Sequence, residues 1–368
     1  MKKIGFIVNP IAGMGGRVGL KGTDGEEILR RALALGAKPI APERGVAVLR
    51  RLLPVKEKFS LITWTGKMGE DEALEAGFSP EVMGERKEKT TAEDTKKAAG
   101  EMKKLEVDLL VFVGGDGTAR DVMEVVGIEV PVLGVPAGVK MHSAVFSATP
   151  EDAAEILMRF LWDELPLREA EVMDVDEEAF RAGRISASLR GFMMVPYEPT
   201  LLQGMKLATP ESEDERMRME EIARWVVEEM ERDVLYIIGP GTTTRAICEV
   251  LGEEKSLLGV DIVLNGRVVA RDVGEEEILR QISGRRAKVI VTPIGGQGFI
   301  FGRGNQQIGA EVLRRVGKEN VVVVATPQKL ARTPVLRVDT GDPRLDGEFR
   351  GHMKVVTGYG EFRVVRVA

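Results

Sequence analysis

The sequence is poor in the residues that most metal and nucleophile sites use. It has 368 residues but only two histidines, His142 and His352, and one cysteine, Cys248. A zinc site with several Cys and His ligands is excluded unless carboxylates supply most of the ligands. One cysteine forms no intrachain disulfide, and a Ser-His-Asp or Cys-His mechanism would have to use one of the two histidines. The chemistry that remains is that of carboxylates, basic side chains and the backbone.

Long hydrophobic runs and an excess of positive charge are also lacking. The net charge is −6 and the isoelectric point is about 5.4, which argues against a surface built for nucleic acid. No apolar run approaches the ~18 residues that span a bilayer, and the opening run Ile4–Val8 is too short for a signal peptide. We therefore expect a cytoplasmic homo-oligomer that binds neither nucleic acid nor membrane.

Side-chain amides are scarce, whereas charged residues and glycines are abundant. The chain has four asparagines and six glutamines, charged residues make up 30%, and there are 42 glycines. Few amides and much charge are typical of heat-adapted proteins, so a thermophilic source is a hypothesis. A melting point in the mesophile range would contradict it.

Short apolar runs alternate with helical spacing over residues 1–150. The runs Ile4–Val8, Val107–Val113 and Pro131–Val135 are predicted strands, and the stretches between them have helical periodicity. This alternation predicts a parallel sheet with right-handed crossovers.

The pattern changes after residue 150. Residues 165–205 are predicted to be antiparallel β, with strands at 185–189 and 191–195, and a charged helix follows at 212–232. Strand and helix alternate again to about 330, and the last stretch is β. We therefore expect an α/β fold of three parts: an α/β domain at 1–150, a β-rich domain at 151–205 and 331–368, and an α/β insertion at 206–330.

The strongest local motif follows the apolar run that ends at Val113. It is Gly114-Gly115-Asp116-Gly117-Thr118, and a helix is predicted to start there. Glycines let a ligand approach the backbone, and a helix N-terminus offers free N–H groups to phosphate. Asp116 would repel phosphate unless it takes a proton from a substrate hydroxyl or helps to position a metal ion. A tight Asp-Gly turn with Thr118 as the helix cap is the structural alternative.

Two further glycine-rich loops follow the predicted strands of the first 150 residues. Because ligands bind at the carboxyl ends of strands in open α/β sheets, both loops are candidate phosphate sites, although a solvated surface loop explains the first equally well. The loop after Val135 also carries His142, which we expect to be structural rather than catalytic. The candidate residues are Asn9, Gly13, Gly15, Gly16, Arg17, Lys21, Gly138 and Lys140.

Two loops in the later α/β segment have the same character. One opens a predicted helix after residue 238, and a turn with a threonine cap is its structural alternative. The other contains four of the ten side-chain amides of the chain between residues 297 and 307, which suggests hydrogen bonding to a ligand. Helix capping by Asn305 is the structural alternative for one of the four. The candidate residues are Gly241, Thr242, Thr243, Gly295, Gly296, Gln297 and Asn305.

The motif at residues 114–118 resembles the GGDGT signature of NAD kinases and of the related diacylglycerol, sphingosine and 6-phosphofructokinase folds. The opening Asn9-Pro10 with Gly13 is similar to the start shared by NAD kinases and lipid kinases. The wider similarity is to the archaeal and bacterial ATP-NAD kinase-like group that includes AcoX proteins. It rests on residues 13–25, 135–146, 239–247 and 292–306.

The resemblance implies a Rossmann-like N-terminal domain, a β-rich second domain and phosphoryl transfer. It implies ATP or polyphosphate as donor, Mg²⁺, and NAD as the acceptor through its adenosine 2′-hydroxyl. Asp116 would be the catalytic base, and Gly114, Gly115, Gly117 and Thr118 would contact phosphates. The sequence departs from the family pattern because the Asn-Glu pair that holds NAD is absent after residue 150.

Three functions therefore remain open. The leading interpretation is a kinase that phosphorylates NAD to NADP. The second is a kinase of the same fold for another small metabolite, which the missing Asn-Glu pair favours. The third is a non-catalytic sensor of a nucleotide or sugar phosphate, with residues 206–330 as its ligand-binding module.

Overall fold

The computed structural model describes residues 1–20, 26–138, 141–175, 187–202, 213–256, 258–294 and 298–368. The chain folds into two compact units. The first unit comprises Met1–Met14 and Lys21–Met205, and the second comprises Gly15–Leu20 and Lys206–Ala368.

A five-stranded parallel sheet forms the centre of the first unit. Its strands are β1 (Lys2–Val8), β2 (Phe59–Trp64), β3 (Glu81–Met83), β4 (Leu109–Gly114) and β5 (Val132–Pro136). Their order is β3-β2-β1-β4-β5, and Ile4 of β1 aligns with Leu61 on one side and with Leu109 on the other. Every residue of β4 and of β5 is buried, as expected of strands in a parallel sheet that is covered on both faces.

Helices connect the strands of this sheet. Those in the described part of the unit are α1 (Glu26–Ala34), α2 (Ala41–Leu52), α3 (Glu70–Ala76), α4 (Ala92–Lys104), α5 (Asp116–Val126) and α6 (Pro150–Leu161). Helix α4 packs on α5, and α2 packs on α3 and α6. A capping box forms at the start of α4, where the side chains of Thr91 and Asp94 cap each other's backbone.

An antiparallel hairpin completes the first unit. It consists of β6 (Leu167–Val175) and β7 (Ala187–Pro196). The two strands predicted at 185–189 and 191–195 are one strand, since Gly191 pairs with Val172 and continues the ladder. A Cβ at Gly191 would lie 2.8 Å from Met123 Sδ, so this glycine marks close packing on α5 rather than a turn.

The second unit is built on a nine-stranded mixed sheet. Its strands are β8 (Leu235–Ile238), β9 (Asp261–Leu264), β10 (Arg267–Ala270), β11 (Ala287–Val291), β12 (Phe299–Phe301), β13 (Val321–Val324), β14 (Val335–Val338), β15 (Gly351–Gly358) and β16 (Glu361–Val367). Their order is β10-β9-β8-β11-β13-β15-β16-β14-β12, and the four consecutive strands β8, β11, β13 and β15 are parallel to one another. Its helices are α7 (Glu213–Glu228), α8 (Thr242–Val250), α9 (Glu275–Ile282), α10 (Ala310–Val316), α11 (Pro327–Arg332) and α12 (Pro343–Phe349).

The α/β fold class is confirmed, with a parallel-sheet N-terminal domain and a separate β-rich C-terminal domain. The three-part division expected from the sequence differs from the observed one. Val323 of β13 pairs with Val355 of β15, so residues 206–330 and 331–368 share one sheet. The hairpin within 151–205 belongs to the first unit. The two divisions differ because the apolar pattern predicts each strand but not its partner.

No helix among the described residues is long and apolar enough to cross a membrane.

Candidate functional site

The carboxyl ends of β1 and β4 lie side by side in the first unit. Strands β2 and β3 lie on one side of β1, whereas β4 and β5 lie on the other. The strands stay parallel, but the order in which the chain adds them to the sheet changes direction between β1 and β4. Open α/β sheets bind ligands in the crevice that such a reversal creates.

Asn9 connects the loop after β1 to the start of α5. Its backbone N–H donates to Val113 O at 3.0 Å, and its side-chain Nδ2 donates to Thr118 Oγ1 at 2.9 Å. Its Oδ1 accepts the backbone N–H of Ile11 at 3.3 Å. The structure thus brings together Asn9 and Thr118, two residues that the sequence predicts to bind phosphate. Both side chains hold loops in place.

Close backbone contacts at glycines join the loops after β1, β4 and β5. Gly114 O accepts the N–H groups of Ala137 at 2.8 Å and of Gly138 at 3.2 Å. A Cβ at Gly115 would lie 3.2 Å from the Cα of Gly138. At Gly13 the backbone has φ +79°, and a Cβ would lie 1.8 Å from Ala137 O. Larger residues would push the loops apart, so these glycines are needed for the close approach of one backbone to another.

The N-terminus of α5 lies in this cluster. Its N-cap is Gly115, in an extended conformation and without a side-chain cap from the described residues. The first turn of an α-helix has N–H groups with no partner inside the helix, and these groups attract anions. Gly117 lies in this turn, where the lack of a Cβ keeps the backbone open to a phosphate.

Asp116 is the first residue of α5 and is only 9% exposed. Its Oδ2 accepts the backbone N–H of His142 at 2.7 Å, and its Oδ1 accepts that of Ser143 at 3.0 Å. The carboxylate therefore joins the loop after β4 to the loop after β5. Two backbone donors fix the direction of both oxygens.

The imidazole of His142 lies beside this carboxylate. Its Nδ1 is 3.5 Å from Asp116 Oδ2, and the residue is 7% exposed. Nδ1 is buried and has no hydrogen-bond partner within the described part of the chain. The backbone N–H of His142 holds Asp116 in place, and a structural role for the imidazole stays a prediction.

Ser143 is a site residue that no sequence motif singles out. It is fully buried, and its Oγ accepts the N–H of Met173 at 3.0 Å and donates to Met173 O at 3.3 Å. Ser143 thus links the Asp116 loop to the hairpin strand β6. Its position beside His142 is the only signal in the sequence, because its backbone contact depends on the folded loop.

The first predicted loop is divided between the two units. Asn9 and Gly13 belong to the first unit, whereas Gly15, Gly16 and Arg17 belong to the second. Arg17 O accepts the N–H of Glu275 at the start of α9 at 3.0 Å. A Cβ at Gly16 would lie 1.4 Å from the side-chain Oε1 of Gln306, which belongs to the same unit.

The other predicted residues of the second unit lie in two places. Gly241, Thr242 and Thr243 form the start of α8, where Thr243 is buried and can offer a ligand only its backbone. Asn305 is fully buried, and its Nδ2 donates to Ile300 O at 2.8 Å. Much of the amide cluster is therefore internal. Five further predicted residues lie outside the described residues: Lys21, Lys140, Gly295, Gly296 and Gln297.

The sequence by itself assigns no metal ligands. Over the described ranges, no group of three or more His, Cys, Asp or Glu side chains is placed to hold a metal ion. A site of the structural-zinc type is therefore not formed by these residues.

Two protein-family models match the chain, one in its N-terminal part and one in its C-terminal part. The model of the ATP-NAD kinase N-terminal domain matches residues 4–165, and that of the ATP-NAD kinase C-terminal domain matches residues 231–367. No curated protein matches.

Among solved structures, the chain is similar to a diacylglycerol kinase from Bacillus anthracis str. Sterne. The identity is 16% and the TM-score is 0.25. The match covers 48% of this chain and 46% of that chain. A second structure of a protein so described, from the same organism, has the same identity and TM-score and is covered over 45% of its length. The chain thus spans less than half the length of these structures.

The two domain models together cover most of the sequence, in the order in which the two units occur. The chain belongs to the ATP-NAD kinase family.

Proposed function

We propose that this kinase transfers a phosphoryl group from ATP to the adenosine 2′-hydroxyl of NAD and so forms NADP. The observation that carries the proposal is the position of Asp116. It lies in the first turn of α5, at the carboxyl edge of the parallel sheet and inside the cluster of three loops. A carboxylate held beside an anion-binding helix start can serve a hydroxyl acceptor and a phosphate donor together.

Asp116 acts on the acceptor hydroxyl in this proposal. An ionised carboxylate has about four acceptor positions, and the N–H groups of His142 and Ser143 use two of them. A substrate hydroxyl can occupy a third and give up its proton as the phosphoryl group arrives. Because the two backbone bonds fix the carboxylate, the acceptor oxygen is aligned before reaction.

The donor phosphates bind at the first turn of α5. Gly115 and Gly117 place no side chain in their way, and the free N–H groups and the helix dipole favour negative charge. Phosphoryl transfer depends mainly on positioning and charge stabilisation, which this arrangement supplies.

The described residues fit a magnesium ion that arrives with the nucleotide. Mg²⁺ in such enzymes uses one or two carboxylates together with substrate phosphates, and Asp116 is a carboxylate beside the proposed phosphate position. When bound, the ion neutralises phosphate charge. The absence of a protein-only cluster among the described residues agrees with this mode.

The acceptor is tested by offering one donor and several hydroxyl compounds. The purified chain, Mg²⁺ and ATP are incubated with NAD, NADH, nucleosides or sugars, and NADP is measured with an NADP-specific dehydrogenase. Polyphosphate replaces ATP in a parallel series. We expect NADP from NAD at enzyme-like rates, roughly 1 per second or more.

Asp116→Asn should lose turnover and keep nucleotide binding. Asp163→Asn is the matched control, because Asp163 is exposed and pairs with Lys2 at the surface. Phosphorylation of a sugar or nucleoside in preference to NAD would replace NAD by that acceptor. Tight nucleotide binding without turnover of any acceptor would indicate a sensor.

A further inference from the structure

A second polar cluster lies in the second unit and shares no residue with the Asp116 cluster. Its centre is Lys329, in helix α11 just after β13. Lys329 Nζ donates to Thr292 Oγ1 at 2.9 Å, and Thr292 directly follows β11. Since β11 and β13 are parallel neighbours, the lysine connects the carboxyl ends of two adjacent strands.

The start of helix α8 meets the same threonine. Strand β8 is the parallel neighbour of β11, and the loop after β8 leads to Gly241, the N-cap of α8. Gly241 has φ +129°, and a Cβ there would lie 2.6 Å from Thr292 Cγ2. Thr292 therefore touches the N-cap of α8 with its methyl group and Lys329 with its hydroxyl.

The loop that carries Gly241 is held in a fixed shape. Thr244 is fully buried, and its Oγ1 donates towards Gly239 O at 2.8 Å and Gly241 O at 3.0 Å. Among the residues that the structure describes, no side chain caps the start of α8. Its first N–H groups therefore face the loop side of the sheet without competition from a capping hydroxyl.

The charge of Lys329 has little compensation. Its side chain is partly buried, and this burial lowers the pKa of Lys329 to about 8, while the nearby Glu215 opposes this shift. Glu215 itself bonds Thr326 Oγ1 at 2.5 Å. Within the described part of the chain, no carboxylate lies within 4.0 Å of the ammonium. A partly buried cation without a paired anion is unfavourable, and a bound anion would supply the missing charge.

We propose that Lys329, Thr292 and the first turn of α8 bind the phosphate group of a small phosphorylated ligand. The ammonium has two N–H donors beyond the one that Thr292 uses, and the turn adds backbone donors. A tetrahedral dianion accepts from several directions at once, so it fits this set better than a carboxylate does. The site shares no residue with the Asp116 cluster, so the proposal does not depend on the identity of the acceptor.

A purely structural role for Lys329 predicts different results. If the lysine only holds Thr292, Lys329→Met should destabilise the fold and leave the response to phosphate unchanged. A binding role predicts that the same variant keeps its stability or gains some, and that it loses the response.

The test uses the full-length chain and inorganic phosphate as the probe. The chain is labelled with ¹³C-lysine, and the Lys329 signal is assigned by its loss in Lys329→Arg. Phosphate is titrated against chloride at constant ionic strength and pH 7. We expect the Lys329 signal to shift saturably with phosphate and not with chloride. The Lys288 signal should stay unchanged, because Lys288 pairs with Glu231 at the opposite end of β11.

Three variants extend the test through the phosphate-dependent rise in melting temperature. Lys329→Met should abolish the rise that phosphate causes at this site, and Thr292→Val should weaken phosphate binding about tenfold or more. Lys288→Met should respond like the wild type.

A response of Lys329→Met equal to the wild type, or a Lys329 signal that moves equally with chloride, would overturn the proposal. Asp116→Asn should keep the Lys329 shift, so a failure to form NADP would leave this result intact.

Discussion

The Asp116 carboxylate accepts the backbone N–H of His142, with 2.7 Å between the nitrogen and Oδ2. This bond and its partner from Ser143 give one side chain two functions. It connects two loops of the sheet edge and presents oxygen atoms to the space above the start of α5. The effects of mutation at this position should therefore appear in both stability and turnover.

Asp116→Asn should lower kcat by roughly a hundredfold or more, because an amide does not take a proton from the acceptor. Its NH₂ group also faces a backbone N–H in place of one carboxylate oxygen, so the free energy of unfolding should fall by about 1–3 kcal/mol. Steady-state kinetics and urea unfolding measure the two effects separately. A stable variant with full turnover would remove Asp116 from both functions.

Gly13 and Gly36 provide a matched pair for the loop contact. Both have positive φ, +79° and +78°, but a Cβ at Gly13 would lie 1.8 Å from Ala137 O, whereas no described atom lies within 4 Å at Gly36. Alanine at either position introduces the same backbone strain, about 1 kcal/mol.

Gly13→Ala should therefore lower the free energy of unfolding by several kcal/mol and reduce nucleotide binding, whereas Gly36→Ala should cost only about 1 kcal/mol. Chemical unfolding and nucleotide titration test both variants. Equal losses in the two would mean that the loops after β1 and β5 separate without cost.

These contacts show what the sequence could and could not predict. The motif at 114–118 follows a fully buried strand, so its place at the sheet edge was readable from apolar pattern and glycine content. The donors to Asp116 were not readable, because the backbone of His142 and Ser143 reaches it only after β5 has paired with β4.

Sheet partners were the weaker predictions. Val323 and Val355 pair although they are 32 positions apart in the sequence, and no local sequence pattern predicts that pairing. Lys329 gave no signal at all, since an isolated lysine in a short helix is normally a solvated surface residue.

Glu72 should make stability depend on pH below neutrality. Glu72 is 3% exposed, and burial raises the pKa of Glu72 from 4.5 to about 7, although nearby backbone N–H groups oppose the shift. The folded state therefore binds a proton more tightly than the unfolded state does. The stability due to the protonated form is complete below pH 4.5 and is lost as the pH rises through about 7.

Glu72→Gln should remove this slope and stabilise the chain at pH 8 by about 2–3 kcal/mol. Glu75→Gln is the control, since Glu75 lies on the same helix and is exposed. Urea unfolding between pH 5 and pH 8 tests both. The idea fails if Glu72→Gln keeps the slope of the wild type.

Cys248 should report on opening of the second unit. It is fully buried in α8, and burial raises the pKa of Cys248 to about 11. Thiolate is the reactive form, so a disulfide reagent at pH 8 should label the folded chain at least about 100 times more slowly than the unfolded chain. Labelling in buffer and in guanidinium gives the ratio. Rapid stoichiometric labelling in buffer would show that this helix opens readily.

Lys329 should make stability depend on pH above neutrality, with the opposite sign to Glu72. Burial lowers the pKa of Lys329 from 10.5 in the unfolded chain to about 8 in the folded one. Between these values the unfolded state binds more protons, so stability rises with pH and is lost as the pH falls through about 8.

Lys329→Met should remove that rise and stabilise the chain at pH 7 by about 2–3 kcal/mol. Lys288→Met should keep the rise, because Lys288 pairs with Glu231 at the other end of β11. Unfolding free energies from pH 7 to pH 10.5 distinguish the two variants. An unchanged rise in Lys329→Met would mean that another group carries it and that the ammonium is better solvated than its surroundings indicate.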